Sequence, residues 1–267
     1  MGNVKISTGM AKALAVRDNL KSLMTDCVLQ IFSGSVPNSA DDAETGSLLV
    51  TITTDGNSWS ASERQVMNFS ITAVGNSGDT LTITISPVIP SGTNEVIQYT
   101  KSDSESTVNE VAKAVVDLIN ANSELVDAVV GSNGEVILVS KYAGDSFSVT
   151  AVPSGSLTVS AVSELVTNVR GNGLHFESPQ NVDNGILQKT DETWKGTVSA
   201  SGTASYFRLK AITDAGAQDS SGVYKRIQGT VGTLSDSPLQ LSGSSTLTKD
   251  TTITIGSFSI QIPLANA

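Results

Sequence analysis

The chain has 267 residues, long enough for one large or two ordinary domains. Hydrophobic residues make up 39 % and aromatics only 4 %, while Ser and Thr together account for about a quarter of the chain. With 23 Gly, this composition predicts a β-rich protein with many short turns. It argues against disorder, because Val, Ile and Leu recur in clear alternation. A net charge of −10 and a pI near 4.5 give an acidic surface that repels phosphate backbones and anionic headgroups, so neither nucleic acid nor a membrane is expected as the main partner. The opening Met1-Gly2-Asn3-Val4-Lys5 lacks the apolar core of a signal peptide, and no apolar run approaches the ~20 residues that span a bilayer. Synthesis in a cytoplasm is the resulting expectation, and on that view the sequon Asn68-Phe69-Ser70 is coincidental.

The first predicted element is a helix from about Ser7 to Met24, with Val16, Leu20, Leu23 and Met24 as its apolar stripe and Asp26 at its exit. Strands are predicted at Val28–Phe32 and Leu48–Thr53, separated by a polar loop that starts at Ser33-Gly34 and runs through Pro37 to Asp42. The character changes after Trp59. Val66–Val74 and Thr80–Ser86 read as a strand pair around Gly75-Asn76-Ser77-Gly78, and Glu95–Thr100 as a third strand. A helix over Thr107–Asn120 opens on a capping-box spacing, Thr107 and Glu110, and places Val108, Val111, Ala112, Val115 and Ile119 on one face. A short helical turn is expected near Glu124–Val129. Glu135–Lys141 and Ser146–Val152 read as a hairpin across Tyr142–Asp145, followed by strands at Leu157–Val162 and Glu164–Val169.

The pattern of the first 60 residues resumes at Gly171-Asn172-Gly173. Strands are predicted at Leu174–Glu177, Gly196–Leu209, Val223–Val231 and Thr251–Pro263, with Leu264–Ala267 as a frayed strand end. One helix and two strands are too little to close a core, so the first 62 residues are expected to complete theirs with the strands after 171. The expected fold is therefore mainly β. Residues 1–62 and 171–267 form a discontinuous β-sandwich with one N-terminal helix, and residues 63–170 form an inserted small α/β module of sheet plus helix.

No cluster of residues points to catalysis, to a cofactor or to a metal. The lone His175 lies in a strand-like run without a Gly-x-Ser-x-Gly elbow, and is expected to face a groove or solvent. The lone Cys27 excludes an intrachain disulfide and reads as a small buried hydrophobe, with a reactive thiol as the alternative. Asp41, Asp42 and Glu44 lack the Asp-x-Asp-x-Asp-Gly order of a calcium loop and read as a solvated acidic loop. Asp103 and Glu105 are expected to complement the positive end of the following helix. Gly171-Asn172-Gly173 reads as a turn, since a phosphate cradle needs a third glycine and a following helix. Trp59 and Trp194 are either plugs at the two ends of the sandwich core or interface anchors.

Several ordered segments carry a resemblance. Lys5-Ile6-Ser7-Thr8-Gly9-Met10-Ala11-Lys12-Ala13-Leu14, followed by Leu29-Gln30-Ile31-Phe32-Ser33-Gly34-Ser35-Val36-Pro37-Asn38-Ser39-Ala40-Asp41-Asp42-Ala43, resembles the opening of a group of small virion-associated proteins of tailed bacteriophages. Trp194–Leu209, Arg226-Ile227-Gln228-Gly229-Thr230-Val231-Gly232 and Ser257–Pro263 are similar to later strands of that group. Simpler relatives run almost directly from the Thr54-Asp55-Gly56 turn to the Gly173-Leu174-His175-Phe176 strand, and here the 63–170 module intervenes. That module is similar to small α/β domains of phage tail-sheath, tube and baseplate proteins, on the helix ending Ile119-Asn120-Ala121-Asn122 and the segment Gly134–Gly144. The resemblance implies a structural component of the phage particle and no enzyme. A capsid decoration or head–neck protein is the first expectation. A tail, collar or baseplate protein and a glycan-binding head fibre are the alternatives. The implied partners are other virion proteins, such as the major capsid or neck and tail proteins, together with further copies of the chain. The implied location is the virion.

Overall fold

The computed structural model describes residues 4–16, 18–178, 186–234 and 237–261. In chain order the first elements are β1 (Lys5–Ile6), α1 (Thr8–Val16), α2 (Leu20–Met24), β2 (Val28–Phe32) and β3 (Leu48–Ile52). Next come β4 (Val66–Val74), β5 (Thr80–Ile89), β6 (Glu95–Thr100), α3 (Val108–Asn122), β7 (Val126–Val130), β8 (Glu135–Ser140), β9 (Ser146–Pro153), β10 (Leu157–Val159) and β11 (Ser163–Val166). The last are β12 (Ile186–Gln188), β13 (Trp194–Thr197), β14 (Gly202–Thr203), β15 (Tyr206–Lys210), β16 (Ile227–Gly232), β17 (Leu239–Gln240), β18 (Thr246–Leu247), β19 (Thr252–Ile255) and β20 (Ser259–Gln261). The protein is mainly β. It divides into two compact units: Met1–Ala61 with Gly171–Glu177 and Asn184–Ala267, and Ser62–Arg170 with Ser178–Asp183.

The first unit is built on the sheet β1-β16-β15-β2-β3, with β17 added beside β16. Side chains alternate across it. Leu29 and Ile31 of β2, Phe207 and Leu209 of β15, and Ile227 and Val231 of β16 enter one apolar cluster. The pairs β13–β19 and β12–β20 contribute Trp194, Ile255, Leu187 and Ile260 to the same cluster, giving a sandwich-like core, and β13 is bridged to the end of β3 through Lys195 and Thr53. Trp194 is fully buried, edge-on to Phe176 at 5.4 Å between ring centres. The expected strand Gly196–Leu209 is broken into β13, β14 and β15. The run Thr251–Pro263 is broken into β19 and β20 after Ile255, so that each piece pairs with a different partner. Instead of a continuous strand, Leu174 makes a single bridge to Cys27 beside β2, and Phe176 one to Lys189 beside β12. The expected frayed end Leu264–Ala267 lies outside the described residues.

The expected single helix over Ser7–Met24 is two helices. Asn19 is extended (φ −100°, ψ 163°) and its side-chain carbonyl accepts the Ser22 amide, restarting the helix. The buried stripe moves with the break: Met10, Leu20 and Met24 are buried, and Val16 is 74 % exposed. Gly9 lies so close to the Tyr224 and Gly222 carbonyls that a Cβ there would clash, which explains a glycine inside α1 despite its helix cost.

The second unit has two sheets and α3 around one apolar cluster that includes Phe69, Ile83, Val115, Leu138 and Phe147. Strands β10 and β11 both pair with β4, and the path continues β4-β8-β7, while the other sheet is β6-β5-β9. Neither expected hairpin forms. β4 and β5 flank a tight turn yet lie in different sheets, and so do β8 and β9. The turns are tied sideways. The Asp79 carboxylate accepts the Asn76, Ser156 and Leu157 amides, which locks the first turn to the turn after β9. Gly144 donates to the Glu63 carbonyl and Phe147 donates to the Gln65 side chain, which locks the second turn to the start of the unit. Both turns are corners between sheets, where backbone groups bond across the corner instead of down a two-strand ladder. Glu124–Val129 is a turn followed by β7 and not a helical turn; Val126 and Ala128 point into the cluster with a period of two. The capping box forms as predicted: Thr107 accepts the Glu110 amide, and the Glu110 carboxylate accepts the Thr107 amide at 2.9 Å.

Candidate functional site

The face of the main sheet that looks away from the apolar core is also buried, and it is polar. Register places Gln30, Arg208 and Gln228 in one row across β2, β15 and β16. All residues of β2 and β15 are buried. What covers this face is the loop that follows β2, together with the segment from Ala211 to Lys225. Arg208 donates through Nε to the Gln228 side chain (3.0 Å) and through Nη2 to the Asp42 carbonyl (2.7 Å). Gln228 donates to the Pro37 carbonyl (2.8 Å). Arg226 makes a bidentate pair with Asp214 (2.6 and 2.7 Å) and also donates to the Ala40 and Ala217 carbonyls. Lys210 reaches Glu44 (2.5 Å) and the Asp214 carbonyl (2.9 Å). The Tyr206 hydroxyl donates to the Thr45 carbonyl and accepts the Thr45 amide, and its ring stacks on Phe32 at 4.9 Å. A loop of small and polar residues cannot bury an apolar face, so these cations hold it down by its carbonyls.

The charges in this layer shift one another. Burial pushes the Asp214 carboxyl up, but the Arg226 guanidinium, the Gly216 amide and Lys210 outweigh it and hold it below its ordinary value. Burial lowers Arg226, and Asp214 more than restores it. Arg208 is pushed down by burial and by Arg226, with Glu44 opposing at 4.0 Å. Asp219 also belongs here. Burial raises its carboxyl, but the Tyr224, Val223 and Gly222 amides and the Ser221 hydroxyl bring it down to about 2.

The acidic loop is consequently not a solvated one. Asp41 accepts the Thr8 amide (2.9 Å) and hydroxyl (2.6 Å) at the start of α1, Asp42 accepts the Ser39 amide, and Glu44 faces Lys210. His175 also departs from expectation. It is 1 % exposed, with Nε2 3.4 Å from Asp26 and Nδ1 3.1 Å from Glu192, and so links two distant segments where a groove-facing ring was expected. Cys27 is buried, and burial together with Asp26 raises its thiol well above its ordinary value, the opposite of an activated nucleophile. Glu105 accepts the Ser102 amide (2.9 Å) and Glu110 accepts the Ser106 amide (2.7 Å), so both acids serve the approach to α3. Among the described residues no group of three or more His, Cys, Asp or Glu side chains is placed to hold a metal, and no helix is long and apolar enough to cross a membrane.

Asn172 of the Gly-Asn-Gly turn is a clasp. Its side-chain oxygen accepts the Ser60 amide (2.5 Å), its side-chain nitrogen donates to the Ser58 carbonyl (2.8 Å), and its carbonyl accepts the Thr54 amide (3.0 Å). The two tryptophans part company. Trp194 plugs the core, whereas Trp59 is half-buried, donates to the Asp26 carbonyl (2.8 Å) and lines a cleft of about 350 Å³. Thr25, Asp26, Thr213, Tyr224 and Lys225 line the same cleft. Val223 is 59 % and Tyr224 40 % exposed. Sequence reasoning gave no role to Arg208, Lys210, Asp214, Tyr206 or Tyr224. A charged residue amid an apolar strand, as in Tyr206-Phe207-Arg208-Leu209-Lys210, was the available signal.

Comparison with protein-family models, curated proteins and solved structures finds no match to the chain.

Proposed function

We propose that this chain is a structural component of a tailed-phage particle, a capsid decoration or head–neck protein that stabilises the assembly through many repeated contacts. One observation carries the reading. The segments on which the phage resemblance rests converge on the buried polar layer. Arg208 comes from one segment and Arg226 and Gln228 from another. Between them they hold the carbonyls of Pro37, Ala40 and Asp42 in a third. The residues that carry the resemblance thus have a common physical task in this chain, which is to fix a polar loop on a sheet. That task favours descent from a shared scaffold over chance agreement of short words. In this reading the first unit docks on capsid or neck proteins and the second, inserted unit adds contacts of its own. Copy number decides the mechanism: weak contacts repeated around a symmetric shell sum to a stable coat. Mass spectrometry of gradient-purified particles tests it. The chain is expected at multiple copies per particle, and its presence in the infected lysate without enrichment in particles would overturn the proposal.

The cleft supports a second reading, a glycan-binding head fibre. Trp59 and Tyr224 offer aromatic surface beside Asp26, Thr25 and Thr213, and the volume is that of a small-ligand site. Glycan-array binding that disappears in Trp59→Ala favours it; an array blank for the full chain rules it out.

A further inference from the structure

The second unit ends one of its sheets on an unguarded strand. β6 pairs with β5 and with no other described strand. The ladder fixes which backbone groups are spare. Lys101 donates to the Asp79 carbonyl, so residues 101, 99, 97 and 95 bond to β5. The amides and carbonyls of Val96, Gln98 and Thr100 therefore point along the open edge. Their side chains are exposed, Val96 at 66 %. Strand edges are normally blunted by lysine, proline or a bulge. β6 (Glu95-Val96-Ile97-Gln98-Tyr99-Thr100) has no lysine or proline, and its register with β5 is unbroken. Glu95, its one charge, is turned to the Ser123 hydroxyl (2.6 Å) and the Glu124 amide (2.8 Å).

The strand is also complementary to itself. In an antiparallel pairing of two β6 strands, inward residues must face inward residues, so the two-fold axis passes through a residue and not between two. With the axis at Gln98, Val96 falls opposite Thr100, Ile97 opposite Tyr99, and Gln98 opposite Gln98. At both ends Glu95 then falls opposite Lys101, so no like charges meet although the chain carries −10. The outward groups at 96, 98 and 100 are the ones this register bonds, giving about six backbone hydrogen bonds. Across the outer face, β5 and β9 continue with uncharged Thr82, Thr84, Ser148 and Thr150, so no charged row opposes the approach.

We propose that two copies of the chain join through β6, antiparallel about an axis at Gln98, so that two three-stranded sheets become one continuous sheet. The partner is a second copy of this chain, a conclusion independent of the phage reading.

Gln98→Cys in the full chain tests the register. Opposed residues of a bonded antiparallel pair lie about 5.5 Å apart between Cα atoms, within disulfide range. Gln98→Cys is expected to form a covalent dimer under mild oxidation. Val96→Cys alone is expected to form none, and mixing it with Thr100→Cys should restore crosslinking. Gln98→Pro removes an outward amide and leaves the bonds to β5 intact. It is expected to abolish the dimer in sedimentation velocity while leaving the melting transition of the chain in place. A wild-type chain that stays monomeric to about 100 μM overturns the proposal. So does equal crosslinking by Gln98→Cys and Val96→Cys, or a dimer that survives Gln98→Pro.

Discussion

At the scale of residues, the first unit depends on charges that are buried. Asp214 and Arg226 are both buried, and their pairing satisfies both oxygens of the carboxylate. Removing one member strands the other in a low-dielectric setting, which costs more than the pair itself contributes. Asp214→Ala is therefore expected to destabilise the chain by about 3–5 kcal/mol in urea unfolding, and Asp214→Leu with Arg226→Met to recover a large part of that loss. Acid has a related effect. The folded Asp214 and Asp219 carboxyls lie below their ordinary values, so the unfolded chain binds more protons throughout the acid limb. Their contribution is complete above the ordinary carboxylate range and is lost as pH falls through the lowered folded values. Urea midpoints measured from pH 6 down to pH 3 should fall, and Asp214→Asn should flatten that decline.

At the scale of elements, local rules succeeded where the chain satisfies itself locally. The Thr107–Glu110 cap was legible because both of its bonds lie within four residues. Thr107→Ala is expected to cost about 1 kcal/mol of stability, read as a lower thermal midpoint with far-UV circular dichroism. The two misread hairpins show where local rules stop. Alternation at Val66–Val74 and Thr80–Ser86 marks two strands, and both are present as β4 and β5, with Phe69, Ile71, Leu81 and Ile83 buried at a period of two. Alternation does not say which strand lies alongside. That choice was made by Asp79, Gln65 and Glu63, whose bonds to residues far along the chain turn tight loops into corners. The split of the first helix at Asn19 was readable in principle, since Asn-Leu-Lys-Ser is a cap followed by a turn of helix. The buried polar layer was not. Arg208 and Arg226 are ordinary surface residue types, and only register reveals that they share a face with Gln228 under a loop.

For the whole molecule, the two units meet the chain at paired crossings. In the first unit Asn172 clasps Ser60 and Ser58; in the second Glu63 donates to Val169. Ends held this close permit one unit to be excised. Replacing residues 62–170 with a short Gly-Ser linker is expected to leave a first unit that melts cooperatively with Trp194 in a rigid setting, seen by near-UV circular dichroism. A product without a cooperative transition would mean that the units fold only together. The central claim is that the first unit is a particle-docking scaffold, and cryo-electron microscopy of the purified particle tests it most directly. The claim predicts density for the β1-β16-β15-β2-β3 sheet and its loop-covered face at symmetry-related positions on the capsid or neck. A high-resolution map of the complete particle with no such density at the capsid, neck or tail would contradict it.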